Sequence, residues 1–136
     1  MYVIQKKTFA NIDTCAEVLA NDIANTIRQS FLSQKSIFMA LSGGTTPKYV
    51  LPYLASTPNI NWANVTITLT DERCVSVKDK RSNEHLMREK LLTQDITKAH
   101  FFGLWKDQSS LEKQLVKTNN LFKEVRNSWK KRKGKA

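Results

Sequence analysis

Histidine and cysteine are nearly absent from this 136-residue chain, which has two of each: His85 and His100, Cys15 and Cys74. Cysteines so far apart match no metal-ligand spacing, and reduced thiols are expected. No apolar run approaches the ~20 residues needed to cross a bilayer. The amino terminus lacks the charged-then-apolar order of a secretory signal. A cytoplasmic protein without a membrane partner or metal is therefore expected. Neither the Gly-Lys-Ser/Thr ending of a Walker loop nor a G-x-G-x-x-G turn occurs, so nucleotide binding has little support. No internal repeat or interdomain linker breaks the chain, whose length suits one domain that buries about two thirds of its unfolded surface.

Acidic residues are scarce too, with 12 Asp and Glu against 22 Lys and Arg, for a net charge of +10. Five of the positive charges fall in Lys130, Lys131, Arg132, Lys133 and Lys135, leaving a modest +5 for the rest. That remainder suits an anionic small-molecule substrate. The basic run is predicted to be a solvated, disordered tail. Nucleic-acid binding is the lesser reading, because Trp129 is its lone aromatic and no nucleic-acid-binding fold precedes it.

What is present alternates strand and helix, as a parallel sheet built from βαβ units requires. Tyr2–Thr8 reads as a first strand. Thr14-x-x-Glu17 has capping-box spacing, and Ala16, Leu19, Ala20, Ile23, Ile27 and Phe31 form one apolar helix face behind it. A strand over Ser36–Leu41 leads to a helix from Pro47 to about Ala55. Trp62 should pack at the base of a second strand, Val65–Thr70. After a charged loop, a helix runs from Asn83 to Leu92 with Ser82 as cap. His100–Leu104 is a brief strand, and Ser109-x-x-Glu112 opens a helix with Leu111, Leu115, Phe122 and Val125 on one side.

Two strand ends carry the chemistry. Ser42-Gly43-Gly44-Thr45-Thr46-Pro47 joins strand to helix through a turn whose glycines admit positive φ and close approach of a ligand. With Thr46 as N-cap and Pro47 in the first helical position, unpaired amides and the positive end of the helix dipole would meet an anion there. A tight connection with no ligand is the plainer alternative. The second strand ends in Asp71-Glu72-Arg73. Ligands of open parallel sheets sit beyond the carboxyl ends of strands, so neighbouring strands would put an acid, an arginine and an anion-binding turn in one crevice. A structural ion pair is the alternative for Asp71 and Arg73. Cys74 follows with no base near it in sequence.

Together, Ser-Gly-Gly-Thr-Thr-Pro, the Trp62…Thr70-Asp71-Glu72-Arg73-Cys74-Val75 block and Ser82-Asn83-Glu84…Arg88-Glu89…Leu91-Leu92 resemble the 6-phosphogluconolactonase family. More broadly they resemble the superfamily that includes glucosamine-6-phosphate deaminase. The resemblance runs to about residue 125, and Arg73 favours the lactonase branch. It implies a Rossmann-like α/β fold, a cytosolic role in the pentose phosphate pathway, and hydrolysis of 6-phospho-D-glucono-1,5-lactone with no cofactor or metal. It also implies that Ser42, Gly43, Gly44, Thr45 and Thr46 bind the phosphate, that Arg73 binds substrate, and that Asn83 orders the loop beside it. Asp71 would orient the base or the water, with Glu72 structural. The family continues into a Gly-x-Gly-x-Asp-Gly-His-x-Ala-Ser-Leu-Phe segment with the presumed catalytic histidine, which this sequence lacks. The expectation is a form truncated before that motif: 1–125 as the amino-terminal part of the domain, 126–136 as the tail, stability marginal and turnover weak or absent. Neither His85 nor His100 has the motif around it. A deaminase-like isomerase and a non-catalytic phosphosugar-binding protein are the alternatives.

Overall fold

The computed structural model describes residues 1–133. Seven elements follow in order: α1 (Ile12–Ser30), β1 (Ile37–Leu41), α2 (Thr45–Ala55), β2 (Val65–Leu69), α3 (Asn83–Lys90), β3 (His100–Phe102) and α4 (Leu111–Lys133). Single 3₁₀ turns at Trp62–Asn64 and Gln94–Lys98 precede β2 and β3. The strands form one parallel sheet in the order β1-β2-β3, with Ile37 opposite Val65, Leu41 opposite Leu69, and Thr66 opposite His100. The expected α/β architecture is the observed one.

The central strand is the most deeply covered. Val65, Ile67 and Leu69 are fully buried, and so is Thr68, whose hydroxyl donates to the Phe102 carbonyl at 2.7 Å. That bond satisfies the one polar side chain of the strand's interior. Helix α1 packs on α2, and its buried face is Ala16, Ala20 and Ala24, small residues at four-residue spacing, continued by Ile27. Leu54 of α2 and Trp62 at the foot of β2 complete the same core, Trp62 standing where the sequence places it. Leu19, expected on the α1 face, is exposed.

Several local expectations are corrected. Tyr2–Thr8 forms no strand, and Tyr2, Val3 and Ile4 project into solvent; an extended segment is not a strand until another one accepts its backbone bonds. Helix α1 is capped by Asn11, whose side chain accepts from the Thr14 amide at 2.9 Å. Thr14 therefore lies inside the first turn rather than at its head. Helix α2 begins at Thr45 with Gly44 as its N-cap, which moves Thr46 and Pro47 two residues inward, within the first turn. Ser110 rather than Ser109 caps α4, its hydroxyl accepting from the Lys113 amide at 3.2 Å. On α4, Gln114, Thr118, Leu121 and Val125 turn inward, while Leu111, Leu115 and Phe122 are exposed. The Phe122 ring still meets Phe38 of β1 edge to face, with centroids 5.8 Å apart. The helix continues through Lys133 and takes Lys130, Lys131, Arg132 and Lys133 into it, where a tail had been expected. Lys135 lies outside the described residues.

Candidate active site

Parallel pairing of β1 with β2 brings their carboxyl ends together, and the Thr70 amide donates to the Leu41 carbonyl at 3.0 Å. The Ser42–Thr46 turn and the Asp71–Arg73 segment thus leave the sheet side by side. Gly44 has φ +110°, a conformation that costs an L side chain roughly 1–3 kcal/mol. Its role is to turn the chain sharply into α2. No side chain caps α2, and no acid lies in its first turn. The first amides of a helix have no intrahelical acceptor, so this end offers donors to a ligand.

The neighbouring helix start is built in the opposite way. Glu72 turns its carboxylate onto α3, where Oε1 accepts from the Asn83 amide at 2.7 Å and Oε2 from the Glu84 amide at 2.8 Å. The same group accepts from the Arg73 amide at 2.8 Å and the Ser82 hydroxyl at 3.1 Å. Ser82 adds the local cap by accepting from the His85 amide at 3.1 Å. Glu72 thereby neutralises the α3 terminus and ties the strand-end loop to it. The expected structural role for Glu72 is the one observed.

Asn83 is the hub. Buried to 4 % exposure, it donates from Nδ2 to the Asp71 carbonyl at 3.0 Å and to Asp71 Oδ1 at 3.3 Å. Its Oδ1 accepts from Arg73 Nη1 at 3.3 Å. A methyl group at Gly43 would run into the Asn83 amide, so the glycine turn, the acid and the arginine all register against this one side chain. Arg73 Nη1 also donates to the Arg81 carbonyl at 2.7 Å. Among the described residues no other nitrogen of that exposed guanidinium has a partner.

An open cavity of about 480 Å³ lies beside this hub, lined by Gly44, Thr45, Arg73 and Asn83 among the expected residues. Ser42, Gly43, Thr46 and Asp71 are not on its wall; Asp71 connects to it through Asn83. The sequence reading missed the rest of the lining: Lys48 on α2, Lys80, Arg81 and Ser82 on the loop, and His85, Leu86, Glu89 and Lys90 on α3. The signal was present in the i, i+4 spacing of His85 and Glu89 on one helix face. His85 Nδ1 lies 2.9 Å from the Val77 carbonyl, which can only accept, so Nδ1 carries the proton and Nε2 stands 4.0 Å from Glu89. His100 is elsewhere, at the amino end of β3 and paired with Thr66. Cys74 is exposed and borders a different cavity, with Leu104 and Trp105.

Arg81 also closes the loop on itself. Its guanidinium holds Asp79 at 2.7 Å, and that hydrogen bond, with one from the Arg81 amide, lowers the Asp79 carboxyl from 3.8 to about 2. The pair stiffens a loop that has no regular structure. Farther along α3, Glu84 pairs with Arg88 at 2.7 Å. The Arg88 guanidinium lies 5.4 Å from the centre of the Phe101 ring and so ties α3 to β3.

Known proteins resemble this chain in sequence and fold. The profile of the family described as glucosamine-6-phosphate isomerases/6-phosphogluconolactonase matches residues 10–133. A 6-phosphogluconolactonase from Pseudomonas putida is 37 % identical over 110 residues, which are 81 % of this chain and 45 % of that protein. One from Rhizobium meliloti is 34 % identical over 104 residues, 76 % of this chain and 44 % of its own length. The crystal structure of a 6-phosphogluconolactonase from Shewanella baltica superposes with a TM-score of 0.74 at 33 % identity, covering 81 % of this chain and 47 % of that one. The chain spans about half the length of the curated relatives it matches.

Proposed function

The chain belongs to the family of glucosamine-6-phosphate isomerases and 6-phosphogluconolactonases, and on that footing we propose that it serves hydrolysis of 6-phospho-D-glucono-1,5-lactone to 6-phosphogluconate in the cytoplasm. The reading rests on one observation: the uncapped start of α2 and the free side of Arg73 open into the same cavity. A phosphate seated on the Thr45 end of α2 meets amide donors and the positive end of the helix dipole. Arg73 supplies a planar, permanently charged fork that matches phosphate oxygens. Ser42 and Thr46 add hydroxyls at the same turn.

Held by its phosphate, the lactone presents its carbonyl to the Asp71 side of the turn. Asp71, off the cavity wall but tied to it through Asn83, orients the attacking water. Water adds to the carbonyl carbon, the ring C–O bond breaks, and the ring oxygen leaves as a hydroxyl. Stabilisation of the developing oxyanion falls to Arg73 and the turn amides. A general base contributes ~10²–10⁴-fold.

Lactone hydrolysis measured above the spontaneous rate tests the proposal. Arg73→Ala should lower kcat/KM about 10–100-fold, as expected for losing hydrogen bonds to a charged group. Asp71→Asn should lower kcat with KM little changed. Hydrolysis no faster than the spontaneous rate, together with no detectable binding of 6-phosphogluconate, would overturn it.

A further inference from the structure

Helix α4 is built unlike the other helices. It has 23 residues, yet among the described ones only Gln114 is buried. Leu121 and Val125 are half-buried and rest beside Ser36, Ile37 and Phe38 at the sheet edge. A helix in a folded protein draws most of its stability from a covered apolar face, and this one leaves large apolar side chains outside. Leu111, Leu115, Phe122 and Trp129 are each between 41 % and 55 % exposed. At 3.6 residues per turn the four fall within about 40° of one another, a narrow stripe along about 27 Å of helix. Contiguous exposed apolar surface of this kind marks a contact with something else.

Cations line the outer flank of the stripe. Arg126, Lys130 and Lys123 follow it within about 100° on the side away from Gln114, and all three are exposed. Among the described residues none of them has an ion pair. The helix as a whole carries eight Lys and Arg against two Glu. Glu112 stands in the first turn, and no acid follows it on this flank. None of these residues borders the candidate active-site cavity, so the surface is separate from it.

The combination selects the occupant. A second copy would set one basic helix against another. A nucleic-acid backbone would match the cations and leave the leucines, Phe122 and Trp129 in water. An anionic lipid surface satisfies both: its headgroups take the cations, and the stripe enters the boundary between headgroups and acyl chains. Long Lys and Arg stems can lie along that boundary with their charges outward. No described helix is long and apolar enough to cross a membrane, a condition that does not bear on a helix lying in the surface plane.

We infer that α4 is a membrane-surface helix, which docks the chain on an anionic bilayer through Leu111, Leu115, Phe122 and Trp129, with Lys123, Arg126 and Lys130 against the headgroups. Flotation of the full chain with vesicles tests this, using phosphatidylcholine alone and phosphatidylcholine in which about a third of the lipid is phosphatidylserine, at about 0.1 M salt. Binding about tenfold or more tighter to the anionic vesicles is the expected result. Lys123→Gln/Arg126→Gln/Lys130→Gln should weaken it about a hundredfold, each cation at such a surface being worth about fivefold. Leu115→Ser/Trp129→Ser should weaken it about tenfold or more through lost apolar burial. Folding of both variants is checked by circular dichroism, and the comparison of vesicle types needs no variant. Lys98→Gln, which removes an exposed charge outside α4, should change binding by less than about twofold.

Equal binding to the two kinds of vesicle, or none to the anionic kind, overturns the inference. Undiminished binding by either folded multiple variant does the same. Tight binding to heparin that survives Leu115→Ser/Trp129→Ser, without vesicle binding, identifies a polyanion site in its place. A concentration-dependent dimer without vesicle binding identifies self-association, and either result overturns the lipid surface.

Discussion

Glu72 and Asn83 are adjacent in the hydrogen-bond network yet answer different demands. Glu72 satisfies two amides at the head of α3 and two further donors, so its loss leaves several polar groups short of partners. Glu72→Ala should destabilise the fold by about 2 kcal/mol, a value drawn from helix-cap losses, as measured by urea unfolding. Asn83 instead sets distances between Gly43, Asp71 and Arg73. Gly43→Ala should cost about 1–3 kcal/mol through the clash with its amide. In Gly43→Ala/Asn83→Ala the clash disappears, so the double variant should lose less stability than the two single losses added together. An additive result would mean that the two residues do not meet.

At the scale of elements, the two helices bordering the cavity begin differently for a reason. Helix α3 is closed by Glu72 and Ser82, whereas α2 is left open behind a glycine. The 79–81 loop above them is a separate unit with its own pH signature. Because the Asp79 carboxyl is lowered in the folded chain, its contribution is complete above about 3.8 and is lost as pH falls toward 2. An NMR titration should place its midpoint near 2. Arg81→Ala should move that midpoint only part of the way back, since the amide of residue 81 still donates. Helix α1 depends on an ordinary cap, and Asn11→Ala should cost about 1 kcal/mol without changing ligand binding.

For the molecule as a whole, stability is concentrated in one core beneath the sheet. Leu54 of α2 is fully buried within it. Leu54→Ala should cost about 2–5 kcal/mol, a large fraction of the 5–15 kcal/mol typical of a domain. The same whole-molecule view explains the exposed amino-terminal segment. Among the described residues β1 and β3 each pair on one side only, and Tyr2–Thr8 joins neither. Its apolar side chains follow a strand pattern, but pairing is decided by which backbone lies alongside, information that no local window holds.

What the amino-acid order determined by itself was local or periodic: the β2 run, the Ser82 cap, the glycine turn after β1, and the family carried by those motifs. Each follows from residue spacing along the chain, and each is where the sequence placed it. The tertiary structure alone decided which strand ends are neighbours, and through that pairing drew Lys48, Lys80 and Lys90 to the cavity that Gly44 and Arg73 share. It also chose Asn11 over Thr14 and Ser110 over Ser109 as caps, because a capping bond depends on the direction in which the chain enters its helix. Local periodicity can show that a face is apolar or basic; only the packing of one element on another sets what that face meets.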